Sequence, residues 1–162
     1  YELLAGSLAA QPEQPELLYE SALLAEKLGR HEAMEASLRK LIRLKPEHAH
    51  AYNALGYSFA ERNQRLEEAE QLVVKALQLS PDDPFIIDSM GWVLYRKGDN
   101  QGALTHLQRA FSIRPDPEIS AHLGEVLWAL GRRDEAKRIW QEAAKAHPGN
   151  EVLAEVIKRF AP

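Results

Sequence analysis

Residues 90–115 read MGWVLYRKGDNQGALTHLQRAFSIRP, and this stretch decides the fold. Apolar side chains recur at helical spacing up to a breaker at Gly98-Asp99, then resume through Ala103 and Ala110 to Pro115. Proline cannot continue a helix and restricts the residue before it, so the second helix closes there. Gly91 falls mid-helix, where glycine costs about 1 kcal/mol relative to alanine. Close approach of a second helix is the simplest compensation, and the stretch reads as two helices packed through small residues.

The same pattern recurs along the chain. Prolines at Pro12, Pro46, Pro81, Pro115 and Pro148 are spaced 34, 35, 34 and 33 residues, and Ala22, Gly56, Gly91 and Gly124 are spaced 34, 35 and 33. The two series stay in phase through one insertion and one deletion, which marks an internal repeat of the length of a two-helix solenoid unit. First helices end at Gly29, Asn63, Gly98 and Gly131. Ala69, Ala103 and Ala136 open second helices, and Ala76, Ala110 and Ala143 follow seven residues later. The division is then 1–14, the second helix of a truncated preceding repeat; units 15–48, 49–83, 84–116 and 117–150; and a capping helix, 151–162. Leu3, Leu4 and Leu8 would lie open on the truncated helix and could drive dimerisation.

Composition agrees with an all-α chain. Of 162 residues, 64 are Ala, Leu or Glu, against 14 Val, Ile or Thr, so a sheet would lack its preferred side chains. A net charge of −4 lacks the basic field that drives nonspecific nucleic-acid binding. No apolar run approaches the roughly 20 residues that span a bilayer, so direct membrane insertion is not expected. With no cysteine, disulfides, thiolate nucleophiles and Cys-based zinc sites are excluded. The chain opens on Tyr-Glu-Leu-Leu, already within a helical pattern, and reads as a piece of a longer protein.

These residues resemble the tetratricopeptide repeat (TPR) family. Tyr52, Leu55, Gly56 and Phe59, followed by Ala69, Ala76 and Pro81, match its pattern with one extra residue in the turn. Met90, Gly91, Leu94, Ala103, Ala110 and Pro115 match without insertion, and Leu123, Gly124, Leu127, Ala136, Ala143 and Pro148 match after one deletion. The first full unit departs, with Ala22, Met34 and Leu41 in place of the glycine and the two alanines. The resemblance implies a right-handed superhelical α-solenoid with first helices on its concave side. More narrowly, residues 83–95 and 116–128 are similar to bacterial envelope repeat proteins. Those include outer-membrane lipoproteins and an adaptor that delivers substrates to a carboxyl-terminal processing protease. That likeness implies a periplasmic or outer-membrane setting, with the lipid anchor upstream of Tyr1, and a periplasmic protease or its substrates as partners.

The groove stripe on each first helix is offset from the core positions and spaced i, i+3, i+7 and i+10. It contains six of the chain's twelve aromatic residues: Tyr19, Tyr57, Phe85, Trp92, Tyr95 and Trp128. Leu23, Asn53, Asp88, Arg96, His122 and Glu125 lie on or beside it. An open aromatic trough is the expectation, since Trp and Tyr bury large area at low entropic cost and dominate hot spots. Trp140 and Leu107 fall instead at a core phase. Glu16, Glu26, Asp88, Glu118 and Glu125 outweigh Arg96 and Lys27, which suits a ligand with apolar anchors and some basic character, or else serves solubility alone. Co-chaperone members of the resembled family grip a peptide carboxylate with a Lys/Asn clamp. The corresponding positions here are Tyr19 and Leu23, Asn53 and Tyr57, and Asp88 and Trp92, without a lysine, so that reading is rejected.

Catalytic chemistry is not expected. His48 and His50 sit two apart at a turn without further ligands, and His31-Glu32 meets Glu35 where a zinc protease would place its second histidine. No phosphate loop, nucleophile elbow, cofactor motif or metal set is found. The chain reads as a protein–protein scaffold or adaptor taking a peptide or partner helix in its groove. A structural self-association module is the alternative.

Overall fold

The computed structural model describes residues 14–162. The expected truncated helix over 1–14, and with it Leu3, Leu4 and Leu8, falls outside the described residues apart from Gln14. Among the described residues there is no strand. The helices are α1 (Pro15–Lys27), α2 (His31–Leu44), α3 (Ala49–Glu61), α4 (Leu66–Leu79), α5 (Pro84–Arg96), α6 (Asn100–Ile113), α7 (Pro117–Ala129), α8 (Arg133–Ala146) and α9 (Glu151–Phe160). They pack as consecutive antiparallel-type pairs, α1 with α2, α3 with α4, α5 with α6 and α7 with α8, while α9 packs on α7 and α8. The chain divides into two compact units, one ending at Pro81 and one beginning at Asp82.

Each first helix stops by the same device. After α5, Gly98 takes φ +93°. Its N–H bonds to the Tyr95 carbonyl, and the Asp99 N–H reaches back to Leu94 at 2.9 Å. This is a Schellman closure, and it satisfies carbonyls that a bare helix end would orphan. Gly29, Asn63 and Gly131 hold the equivalent left-handed position after α1, α3 and α7. Asn63 is the only one that carries a side chain, a tolerable choice because Asn visits this region at modest cost.

Helix starts in the second unit are equally specified. The Asp83 carboxylate accepts from the Phe85 and Ile86 N–H groups, and Asp116 accepts from Glu118. Pro84 and Pro117 then occupy the first turn, where a missing N–H costs nothing. Each such cap contributes about 1 kcal/mol.

Small residues set the spacing within each pair. A Cβ on Gly56 would sit 2.7 Å from Val73 Cγ2 and 2.9 Å from the Ala69 carbonyl oxygen. One on Gly91 would sit 2.7 Å from Leu107 Cγ, and one on Gly124 would overlap the Trp140 indole. The helices therefore approach through glycine against Ala69, Ala103 and Trp140. In the first unit the core is Met34, Leu38, Leu41, Leu55, Phe59 and Val73; in the second, Ile86, Ile87, Leu107, Ile119 and Trp140 are fully buried. Burying each large apolar side chain contributes about 1.5–3 kcal/mol. Trp140 and Leu107 are thus core residues, as their phase predicts.

Candidate functional site: the first-helix faces

In the second unit the first helices α5 and α7 are neighbours, and α9 takes the next place beside α7. Polar rungs one repeat apart tie them together. Asp88 on α5 accepts from His122 Nδ1 on α7 at 2.9 Å, with both residues buried. Arg159 on α9 donates to Glu125 on α7 at 2.7 Å. A carboxylate can only accept, so the His122 proton must sit on Nδ1. Tyr95 adds a third contact to this ladder. Burial, and then the neighbouring Glu125 carboxylate, push its hydroxyl up to about 12, so it stays a donor to Glu125.

The expected open trough needs correction at four of its residues. Trp92 is only 3% exposed, and Asp88, His122 and Glu125 are also buried. The Trp92 indole stacks on the His122 ring with centroids 4.1 Å apart, and the Arg96 guanidinium lies 5.1 Å over it. The physical reason is that adjacent first helices pack side by side. Part of the stripe offset from the pair core therefore becomes the seam between neighbouring repeats. Tyr95 and Trp128 keep a half-exposed surface, and Phe85 is 36% exposed with the Arg114 guanidinium 5.5 Å from its ring.

The first unit is more open. Leu23 is 41% exposed, and Tyr19, Asn53 and Tyr57 are half-buried. Tyr19 tilts against His48 at 5.2 Å, beside an open depression of about 710 Å³ that Glu16, Glu20 and Lys45 also line. His48 is occupied structurally, since its Nδ1 accepts from the Ala51 N–H at the start of α3. Asn53 Oδ1 is buried without a hydrogen-bond partner among the described residues. Glu26 accepts from the Ser58 hydroxyl at 2.9 Å, a rung between α1 and α3 analogous to those of the second unit.

The charge of the face also differs from expectation. Glu26, Asp88 and Glu125 are engaged with Ser58, His122 and Arg159, so three of the five carboxylates that suggested a basic ligand serve packing. Cations gather instead where α7 ends. Trp128 stacks on Trp140 at 5.9 Å and meets Phe160 at 5.8 Å. Arg133 lies 4.8 Å and Lys137 6.0 Å from the Trp128 ring centroid, and Arg159 lies 4.7 Å over Phe160. Sequence reasoning missed Arg133, Lys137, Arg159 and Phe160. A signal existed for one of them: Arg159 stands 34 residues after Glu125, so the repeat period continues into α9.

Among the described residues no cluster of three or more acidic or histidine side chains could hold a metal ion, and no helix is long and apolar enough to cross a membrane. Two tetratricopeptide repeat family models match the chain, over residues 19–84 and 94–158, and between them take in most of it. A TPR repeat-containing protein of Pseudomonas aeruginosa is 45% identical over 125 residues, which is 77% of this chain and 21% of that protein. The chain thus spans about a fifth of the length of this curated relative. A thermophilic TPR protein of Thermus thermophilus superposes with TM-score 0.85 at 25% identity, covering 99% of this chain and 86% of that one. YrrB, described as a TPR protein with an unusual peptide-binding site, superposes with TM-score 0.67 at 22% identity, covering 96% of this chain and 82% of that one. Repeat period, helix pairing and these matches agree: the chain belongs to the tetratricopeptide repeat family, whose helix pairs generally serve as non-catalytic scaffolds that bind other proteins or peptides.

Proposed function

We propose that this chain is an adaptor module whose first-helix faces bind a peptide or partner helix. One observation carries the reading: in each unit the first helices carry half-buried aromatic rings that keep accessible surface, Tyr19 and Tyr57 in the first, Tyr95 and Trp128 in the second. The rungs Asp88–His122 and Glu125–Arg159 hold the helices that present Tyr95 and Trp128, so little further order is needed there on binding. YrrB, which shares the fold, has a peptide-binding site by its description, and this favours the same use of the fold here. Phe85 and Leu23 add open apolar anchors at the helix starts and in the first unit.

We place the adaptor in the bacterial envelope, in the periplasm or at the outer membrane, tethering a protease or a biogenesis machine. The support is the sequence likeness of residues 83–95 and 116–128 to envelope repeat proteins, together with the bacterial relative of which this chain matches a fifth. The test is capture from compartment-fractionated extract of the source cell. The intact chain is compared with a Tyr57→Ala, Phe85→Ala, Trp128→Ala variant of verified helicity. A Val74→Ala, Ile113→Ala variant on second helices serves as the control. At roughly 2 kcal/mol per anchor, the triple variant should lose the partner and the control should keep it. Equal capture by both variants removes the first-helix face as the site. A partner found only in the cytosolic fraction removes the envelope assignment.

A further inference from the structure

At the end of α7 the structure holds two cations that no carboxylate neutralises. Arg133 and Lys137, one helical turn apart on α8, both lie within 6.0 Å of the Trp128 ring centroid and are exposed. Neither makes an ion pair or hydrogen bond among the described residues. Nearby carboxylates are committed elsewhere: Glu135 to Arg132 at 2.7 Å, and Glu125 to Arg159 at 2.7 Å. Asp134, beside Arg133 in sequence, pairs with neither cation. The indole under them is braced from behind by Trp140 and Phe160. An apolar floor with a guanidinium and an ammonium beside it is complementary to an anion flanked by apolar atoms.

We propose that Trp128, Arg133 and Lys137 form a docking site for an acidic peptide segment of a partner protein. Side-chain carboxylates of the segment engage Arg133 and Lys137, and an adjacent apolar side chain covers the free edge of Trp128. The inference rests on the protein-binding reading for its class of partner. It shares Trp128 with that reading and adds Arg133 and Lys137, which belong to the second helix α8. It also reverses the ligand charge that the sequence suggests, since the carboxylates behind that expectation are engaged within the fold.

The experiment is fluorescence anisotropy of the whole chain with a labelled, C-terminally amidated peptide of Glu and Asp residues around a central Leu-Phe pair. Arg133→Gln with Lys137→Gln removes the two charges without altering the core. Arg138→Gln with Lys145→Gln removes the same charge from exposed positions elsewhere on α8. The site variant should bind about tenfold more weakly and the control within about twofold of the parent. Equal weakening in both variants, no measurable binding by the parent, or tighter binding of a matching Lys/Arg peptide overturns the proposal. Binding that appears only when the peptide carries a free C-terminus overturns the assignment to side-chain carboxylates. The Tyr57→Ala, Phe85→Ala pair should bind this peptide normally. If that pair weakens binding as much as the site variant does, the peptide lies along the first-helix faces and this site is overturned while the protein-binding reading stands.

Discussion

His122 Nδ1 donates to the Asp88 carboxylate at 2.9 Å across 34 residues of sequence, one more than the 33 that separate Gly91 from Gly124. Glu125 and Arg159 repeat the relationship one rung on, again 34 residues apart. The helix starts capped by Asp116 and Asn150 are 34 residues apart, so Arg159 is the repeat equivalent of Glu125, whereas His122 stands one position past the equivalent of Asp88. Apolar residues hold each helix to its pair partner and also pack between repeats, and these polar rungs add directional contacts from one repeat to the next. Buried polar contacts of this kind specify register, since a slip leaves a charge without its partner.

The Asp88–His122 rung should show strong energetic coupling. His122→Ala strips a buried carboxylate of its ring donor and removes the stacking surface of Trp92, and should cost about 3 kcal/mol. Asp88→Ala should cost about 2 kcal/mol by the same logic. Because both single variants leave one polar partner stranded, the double variant should be more stable than additivity predicts, by about 1–2 kcal/mol. Urea unfolding of the four proteins measures this, and additive costs would mean that the rung is not an energetic unit.

Gly124→Ala sets two effects of opposite sign against each other. Alanine gains about 1 kcal/mol of helix propensity over glycine. Its Cβ, however, would overlap the Trp140 indole, a rigid and fully buried side chain that cannot swing aside. Overpacking a core typically costs 1–3 kcal/mol, so destabilisation of about 1–2 kcal/mol is expected. In a Trp140→Leu background the same substitution should become neutral or stabilising. Thermal unfolding of the two pairs decides it.

How much of this was legible in the sequence follows from what each feature depends on. The glycine series, the turn breakers and the prolines act locally, and Gly124 could be read as a close-approach position before its neighbour Trp140 was placed. Trp92 could not be read the same way. Its position on the first helix correctly excludes it from the core within its own pair. Its burial comes from His122 on the next repeat, which a single-helix projection does not contain. The charge reading failed for the same reason: Asp88 and Glu125 look like surface carboxylates until residues 34 positions later are set beside them.

On the acid side, Glu35 reports on the contacts between α2 and α4. Burial tends to raise its carboxyl, but hydrogen bonds from Arg39 and Arg65, both at 2.9 Å, outweigh this and hold it below the ordinary 4.5. A folded value below the unfolded one gives stability that is present above pH 4.5 and lost as pH falls through the folded value. Glu35→Gln should therefore be less stable than the parent at neutral pH, by no more than about 1 kcal/mol for this partly exposed network. The gap should shrink below pH 4.5. Denaturant midpoints across that range test it, and a gap that stays constant with pH would rule out the charged contact as its source.

On the alkaline side the relevant group is Tyr95. Its ordinary value of 10.0 is raised to about 12, first by burial and then by the Glu125 carboxylate. The fold thus favours the neutral phenol. This contribution to stability is complete below pH 10.0 and is lost as pH rises towards about 12. Because Tyr95 is only half-buried, solvent screening reduces the contribution to about 1 kcal/mol. An ultraviolet phenolate titration should show a late component from Tyr95. Tyr95→Phe should remove that late component. Phenylalanine keeps the ring packing against Trp92 and leaves Glu125 its bond to Arg159, so the loss at neutral pH should be small. The parent should then lose its advantage over the variant between pH 10.0 and about 12. If the late titration persists in Tyr95→Phe, another tyrosine carries the shift and the contact with Glu125 is not its cause.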